Sequence, residues 1–394
     1  MRLAIYGGSF NPPHMGHVGA ARSVYEQLRP DKFLIIPTNV PPHKELEANS
    51  PSPAQRLAFC EMAFSDIPGA EISDMEIRRE GRSYTAETVD VLRGQYPGAE
   101  LCIVMGTDMF LSFRTWFRWQ DMLETCTLAV LSREDDDREE IEAFKARLER
   151  ENGAKILLVP HEPLPMSSTG IRALLREGKG SAYLPEKVYR RILRGGFYGA
   201  KAELSWLRDE VVRDWLDERR VPHVLGVERQ AIALAERWGE DVYNAAAAGI
   251  LHDVTKNQKK EKQLKLCEKY GIMPDKAEVE NPALLHALTG AAVAKDRFGA
   301  SDVIADSIRW HTTGKPDMTR LEKIIYLADY VEPTRDFEGV EALRALCFED
   351  LDRAMALGLR MSLEEIRSRG AEPFRDTVEA YEWYKHFEQE ELQC

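Results

Sequence analysis

The first seventeen residues, Met1–His17, read MRLAIYGGSFNPPHMGH. A branched-aliphatic run ends at a glycine pair, passes two prolines, and gives way to helix-forming residues near His17. A short apolar run bounded by glycine reads as a strand buried on both faces. The loop from Gly8 to His17 then lies at the carboxyl end of that strand, where open α/β sheets bind ligands. The free amides and the dipole of the next helix face the same crevice, which suits an anionic phosphate. His14 and His17 are three residues apart, so both imidazoles project to one side of the first helical turn. Gly16 offers clearance for a phosphate. A proline turn with incidental histidines is the simpler alternative. The dinucleotide fingerprint G-x-G-x-x-G is absent, which disfavours a hydride-transfer enzyme.

Outward from this stretch, KFLIIPTNV (32–40), LCIVMGTD (101–108), CTLAVLSR (126–133) and AKILLVP (154–160) read as further buried strands. Helical patterns at 17–30, 52–66 and 85–97 lie between them. Strand alternating with helix predicts an α/β doubly wound parallel sheet of Rossmann-like type. Beyond about Tyr198 every patterned segment has helical period, so an all-α domain is expected to follow. The glycine-rich GGFYGAK (195–201) marks the boundary, with domains expected at residues 1–198 and 203–394. A chain of 394 residues is also longer than one hydrophobic core usually serves.

A hydrophobic content of 44% and a charged content of 30% are those of a globular protein, and no apolar run approaches the roughly 18 residues of a membrane span. The apolar run at the N-terminus is too short for a secretory signal, so a cytoplasmic protein is expected. A formal net charge of −13 argues against broad binding to a nucleic-acid backbone, although a local cluster of cations and helix N-termini still holds nucleotides. Cys60, Cys102, Cys126, Cys267, Cys347 and Cys394 show no C-x-x-C spacing, which predicts neither disulfides nor a thiolate metal site. REDDDREE (133–140) and KNQKKEKQLK (256–265) read as solvated faces.

GGSFNPPHMGH (7–17) resembles the signature of the H-x-G-H nucleotidyltransferases, and among them the bacterial nicotinate-nucleotide adenylyltransferases. The resemblance extends through PPHK (41–44), GRSYTAETV (81–89), MGTDMF (105–110), FRTWFRWQDM (113–122) and PMSSTGIRALLREG (165–178), where Met166 stands in place of the commoner isoleucine. It implies His14, His17, Lys44 and Arg172 as charge-stabilising catalytic residues. Gly8, Ser9, Phe10, Gly16, Gly106, Asp108, Ser168 and Thr169 would join Arg172 around ATP and its phosphates. Thr85, Trp116 and Phe117 would surround the nicotinate, although Trp116 alone reads as a core anchor. By the same resemblance the phosphate of nicotinate mononucleotide attacks the α-phosphorus of Mg²⁺-bound ATP, and pyrophosphate leaves. Such catalysis needs alignment and charge neutralisation and no protein nucleophile. Nicotinamide mononucleotide and phosphopantetheine are the alternative acceptors.

In the helical half His223, His252, Asp253, His286, His311 and Asp329 sit in apolar surroundings. Buried imidazoles and carboxylates need partners, and a shared metal centre satisfies all of them. The order H…HD…H…H…D resembles the HD-domain phosphohydrolases. That resemblance implies one divalent ion held by His223, His252, Asp253 and Asp329, with Asp253 bridging to a second held by His286 and His311. Lys256 would act beside Asp253 on the phosphate. Iron is the expected metal, and manganese, cobalt or zinc suit the same donors. RVPHVLGV (220–227), GILHDVTK (249–256), HALTGA (286–291), the run 308–333 and RDFEGV (335–340) resemble the hydrolases that split diadenosine tetraphosphate symmetrically into two ADP. Arg335 and the DFEG loop read as phosphate or base contacts, or as plain surface. The expected partners are therefore small nucleotides, with no nucleic acid and no membrane, and a homo-oligomer stays open. The alternative for this half is a nucleotide-binding regulatory module that does not hydrolyse.

Overall fold

Ile5 on the first strand pairs with Leu34 on one side and Ile103 on the other, and this centres the sheet. The structure is a computed structural model and describes residues 1–41, 46–47, 50–79, 81–132 and 138–392. Strands β1 (Arg2–Gly8), β2 (Lys32–Pro37), β3 (Ala70–Ile72), β4 (Glu100–Gly106), β5 (Cys126–Ser132) and β6 (Lys155–Pro160) form one parallel sheet in the order β3-β2-β1-β4-β5-β6. The chain leaves β1 toward β2 and later returns to β1's other side as β4. The loops that follow β1 and β4 therefore part, opening a crevice at the carboxyl ends of the strands.

The helices of this unit are α1 (Met15–Leu28), α2 (Pro53–Ala63), α3 (Thr85–Gln95), α4 (Thr107–Leu111), α5 (Trp119–Thr125), α6 (Arg138–Asn152), α7 (Ser168–Arg176) and α8 (Glu186–Arg194). Leu3 and Ile5 of β1, Ile103 and Met105 of β4, and Leu128 and Val130 of β5 alternate onto one face, where α3 to α6 bury them in a single core. Helix α1 packs on β5 and β6, and α2 on β2 and β3. The start of α2 is specified locally. Ser52 accepts the Gln55 N–H, the Gln55 side chain accepts the Ser52 N–H, and Pro53 fills the first helical position.

The doubly wound parallel sheet is present, with three differences from the sequence reading. β3 escapes detection because Ala70-Glu71-Ile72 is too short to carry a pattern. KFLIIPTNV ends its ladder at Pro37, and Val40 makes only an isolated bridge to Arg82. β6 is an edge strand and not a buried one, with Leu157 40% exposed on its open face.

The chain divides into two compact units, Met1–Ala200 and Lys201–Cys394. The second contains α9 (Leu204–Asp214), α10 (Val221–Trp238), α11 (Val242–Leu251), α12 (Lys260–Tyr270), α13 (Lys276–Glu280), α14 (Pro282–Phe298), α15 (Asp302–Trp310), α16 (Arg320–Val331), α17 (Val340–Glu349), α18 (Leu351–Ser368) and α19 (Arg375–Tyr384). Among its described residues there is no strand. Helices α10, α11, α14, α15 and α16 pack into one bundle. Gly249 lets α11 approach α10 closely, because a Cβ there would meet the Glu228 backbone at 2.9 Å.

No helix among the described residues is long and apolar enough to cross a membrane. The five described cysteines are buried and free, and Cys394 lies outside the described residues. So does the acidic core of REDDDREE, residues 133–137.

Candidate active sites

In the first unit the Gly8–His17 loop is held from beneath. Arg56 is fully buried, and its guanidinium donates to the carbonyls of Ser9 (2.7 Å), Thr38 (2.7 Å) and Asn39 (3.0 Å). Phe10, expected near ATP, is itself buried with its ring edge-on to His17 at 5.1 Å. Its side chain is packing, and only its backbone is left for a ligand.

The two imidazoles lie together at the start of α1, ring centroids 3.8 Å apart. The His14 backbone N–H donates to His17 Nδ1 at 3.2 Å. That makes Nδ1 the acceptor nitrogen and leaves the proton on Nε2. Burial lowers the His14 pKa to about 4, and burial together with His14 holds His17 well below the ordinary histidine range. The two histidines expected to stabilise charge are therefore neutral rings that offer N–H dipoles. Gly16 also faces a close neighbour. A Cβ there would stand 3.0 Å from the His14 ring and 3.2 Å from Leu164 Cβ, so the glycine makes room for the imidazole.

A titration follows from the His14 shift. Its folded pKa lies below the ordinary value of 6.5, so the buried neutral ring contributes stability fully above about pH 6.5. That contribution is lost as the pH falls through about 4, by roughly 3 kcal/mol in all. Histidine Cε1–H NMR on the unliganded protein should find His14 titrating near 4, and a midpoint near 6.5 would contradict the buried geometry.

Ser168, Thr169 and Arg172 at the start of α7 dock on the same loop. Ser168 Oγ lies 3.4 Å from Pro12 O, and Arg172 donates to Asn11 O at 2.9 Å and to Thr169 Oγ1 at 3.2 Å. Arg172 is not a free cation. Glu47 bridges Arg172 and Arg176 at 2.7 and 2.6 Å, so a phosphate would compete with that carboxylate. Lys44 lies outside the described residues.

A cleft of about 220 Å³ runs along the crevice, lined by Gly8, Ser9, Glu76, Thr85, Trp116 and Phe117 among others. Thr85 opens α3, whose N-cap Tyr84 supplies no side-chain bond to the first amides. Trp116 packs on Phe113 at 5.3 Å while also lining the cleft, so it serves as core anchor and wall together. Gly106 caps α4, and Asp108 is exposed on that helix and not among the residues lining the cleft.

In the second unit α10, α14 and α16 carry His223, His286 and Asp329, while His252, Asp253 and His311 stand just beyond α11 and α15. These six side chains form two groups, His223–His252–Asp329 and Asp253–His286–His311, each able to offer ligand atoms within 4.8 Å of one another. Asp253 touches both. Its Oδ2 lies 3.3 Å from His252 Nε2 and 3.7 Å from His223 Nε2, and its Oδ1 lies 3.1 Å from His286 Nε2 and 3.8 Å from His311 Nε2. His223 Nε2 is 3.1 Å from Asp329 Oδ1.

The donor set fits divalent metal. His252 Nδ1 donates to Gly249 O (2.7 Å) and His311 Nδ1 to Ile308 O (2.6 Å), which turns both Nε2 lone pairs inward. Inward-facing nitrogens then stand 3.2 Å apart (His223 and His252) and 3.1 Å apart (His286 and His311). Burial alone would raise Asp253 and Asp329, but neighbouring histidines outweigh it and hold both well below the usual carboxylate range. Burial lowers His286 and takes His311 to about 3, whereas at His252 the neighbouring Asp253 outweighs burial and raises it.

A profile for cytidylyltransferase-like proteins matches residues 5–174, and a profile for the HD domain matches residues 220–334. A probable nicotinate-nucleotide adenylyltransferase of Desulfatibacillum aliphaticivorans is 37% identical over 219 residues, covering 50% of this chain and 100% of that protein. A symmetrical bis(5′-nucleosyl)-tetraphosphatase of Bacillus subtilis is 41% identical over 175 residues, covering 44% of this chain and 92% of that protein. The chain belongs to the nicotinate-nucleotide adenylyltransferase and HD-domain families. A solved structure of a predicted HD superfamily hydrolase involved in NAD metabolism, from Clostridium acetobutylicum, is 34% identical with a TM-score of 0.46 over 48% of this chain and 100% of that one.

In the adenylyltransferase half, sequence reasoning missed Arg56, Glu47 and Glu76, which belong to none of the family words. In the HD half it missed Arg220, which ion-pairs with Asp253, and Glu332. Arg335 is also reassigned. It is paired to Asp329 Oδ1 at 2.7 Å and donates to Asp329 O at 2.9 Å, so it orients a candidate ligand. Glu332 is fully buried and accepts His223 Nδ1–H at 3.0 Å. Replacing it with alanine is expected to weaken metal affinity about 10- to 100-fold. Chelator competition measures this, and unchanged affinity would show that Glu332 does not orient His223.

Proposed function

We propose that the first unit transfers the AMP of ATP to nicotinate mononucleotide, releasing pyrophosphate, and that the second unit hydrolyses diadenosine tetraphosphate to two ADP. The observation carrying the first half is the single cleft that joins the backbone of Gly8 and Ser9 to Thr85, Trp116 and Phe117. One mononucleotide then meets both ends of it. Trp116 faces the pyridine ring, and the uncapped amides of α3 donate to the ring carboxylate. The 5′-phosphate oxygen forms a bond to the α-phosphorus of ATP, which arrives with Mg²⁺, while the bond to the departing pyrophosphate breaks. The His17 Nε2–H donates to phosphate oxygens as charge gathers on them, and Arg172 adds a fixed cation. Pyrophosphate release with ATP and each of nicotinate mononucleotide, nicotinamide mononucleotide and phosphopantetheine tests the acceptor. Equal rates for the first two would overturn it.

The observation carrying the second half is Asp253, whose two oxygens serve the two histidine groups separately. Divalent ions held by His223, His252, Asp253 and Asp329 and by Asp253, His286 and His311 would supply Lewis acidity and an acidified water at neutral pH. The chain's own residues fix the geometry. Glu332, Gly249 O and Ile308 O set the imidazole tautomers, and Arg335 orients Asp329. Lys256 Nζ, 3.4 Å from His286 Nε2 and partly exposed, offers a cation to the phosphate chain. Chromatography of the products decides the cleavage: two ADP supports the reading, and AMP plus ATP overturns it.

A further inference from the structure

One buried acid in the adenylyltransferase cleft has no part in the chemistry above. Glu76 is only 4% exposed and lines the cleft with Thr85 and Trp116. Its Oε1 accepts the Thr88 hydroxyl at 2.7 Å, and its Oε2 is buried with no hydrogen-bond partner among the described residues. Thr88 is one helical turn beyond Thr85, so Glu76 sits beneath the first turn of α3, the turn assigned above to the pyridine substituent. A buried polar atom left unpaired loses its hydration without replacement, and a ligand group that pairs with it removes that penalty.

We propose that Glu76 is the residue that discriminates between pyridine carboxylate and carboxamide, through the unpaired Oε2 that it buries in the wall of the cleft. This rests on the reading of the cleft as the pyridine site. A carboxyl O–H donates to a substrate carboxylate and forms a charge-assisted hydrogen bond. An ionised Glu76 repels that carboxylate and accepts instead from the N–H of a carboxamide. Protonation thus sets which acceptor the cleft prefers.

The groups around Glu76 push its carboxyl up from the ordinary glutamate value. Burial raises its pKa and outweighs the hydroxyls of Thr88 and Ser83 and the nearby Arg79 guanidinium, while Glu87 adds to the rise. Arg79 does not neutralise it directly. Its Nη2 goes to Thr88 Oγ1 (3.3 Å) and Tyr84 O (3.4 Å), and its Nε lies 3.4 Å from Glu87.

The test uses the full chain and reads kcat/KM for nicotinate and nicotinamide mononucleotide from about pH 5 to 9. Both carry the same 5′-phosphate, so its titration and that of the histidines cancel in the ratio of the two. The parent's preference for the acid should fall as the pH rises through the Glu76 pKa. Glu76→Gln, which always offers an N–H, should flatten that profile. Glu76→Ala should raise KM for the acid about tenfold or more at low pH while moving kcat less. A ratio with the same pH dependence in Glu76→Gln as in the parent would overturn the assignment. If the parent turned over neither mononucleotide at any pH, the pyridine-site reading itself would fall, a distinct result.

Discussion

Asp253→Ala is expected to remove bound divalent metal from the second unit and to slow diadenosine tetraphosphate hydrolysis by at least about 10³-fold. The magnitude follows from losing several kcal/mol of charge stabilisation at about 1.4 kcal/mol per factor of ten. The two Asp253 oxygens lie against different histidine groups, so this one change acts on both. It also leaves Arg220, His252 and His286 without their shared carboxylate. Elemental analysis and product assays on the same preparation provide the measurement. Adenylyl transfer by the first unit of that preparation reports whether the chain is still folded there. Hydrolysis retained within tenfold, with metal still bound, would sink the two-group assignment.

His17→Ala is expected to lower adenylyl transfer by about 10² to 10³ in kcat with little change in KM for either substrate. That range is the usual loss when one donor aimed at developing phosphate or oxyanion charge is removed. The split follows from the neutral ring. Without a standing charge, its N–H gains most as charge accumulates in the transition state, so little ground-state binding goes with it. Steady-state kinetics resolve the two constants, and a fall in kcat of less than about threefold would assign His17 to packing against Phe10 instead.

What could be read from the sequence was whatever a short local pattern encodes. β1, β4 and β5 declared themselves as apolar runs because a parallel strand between two helical layers must be apolar on both faces. The metal candidates were readable for a related reason, since His252 and Asp253 follow an alanine-rich helix that has no other use for them. Positions whose meaning depends on a distant partner stayed silent. Arg56 looks like any helix-surface arginine until the carbonyls of Ser9, Thr38 and Asn39 converge on it. Glu332 looks like one more acid at a helix end, and its role comes from His223, 109 positions earlier. The tight fit of Gly16 against the His14 ring was equally silent, because it depends on where that ring turns. The protonation of the histidine pair was not legible either, since burial sets it and burial is not written in H-x-G-H.

Arg56 also fixes what can be exchanged in this scaffold. One guanidinium spans the loop that follows β1 and the loop that follows β2, so the two are a single mechanical part. Shortening either would strand a buried charge, among the more expensive defects a folded protein can hold. A transplant of the Gly8–His17 loop into another parallel sheet would have to carry the second loop and Arg56 with it. Drift in this family at those three places should accordingly be concerted, with loop length and arginine changing together or not at all.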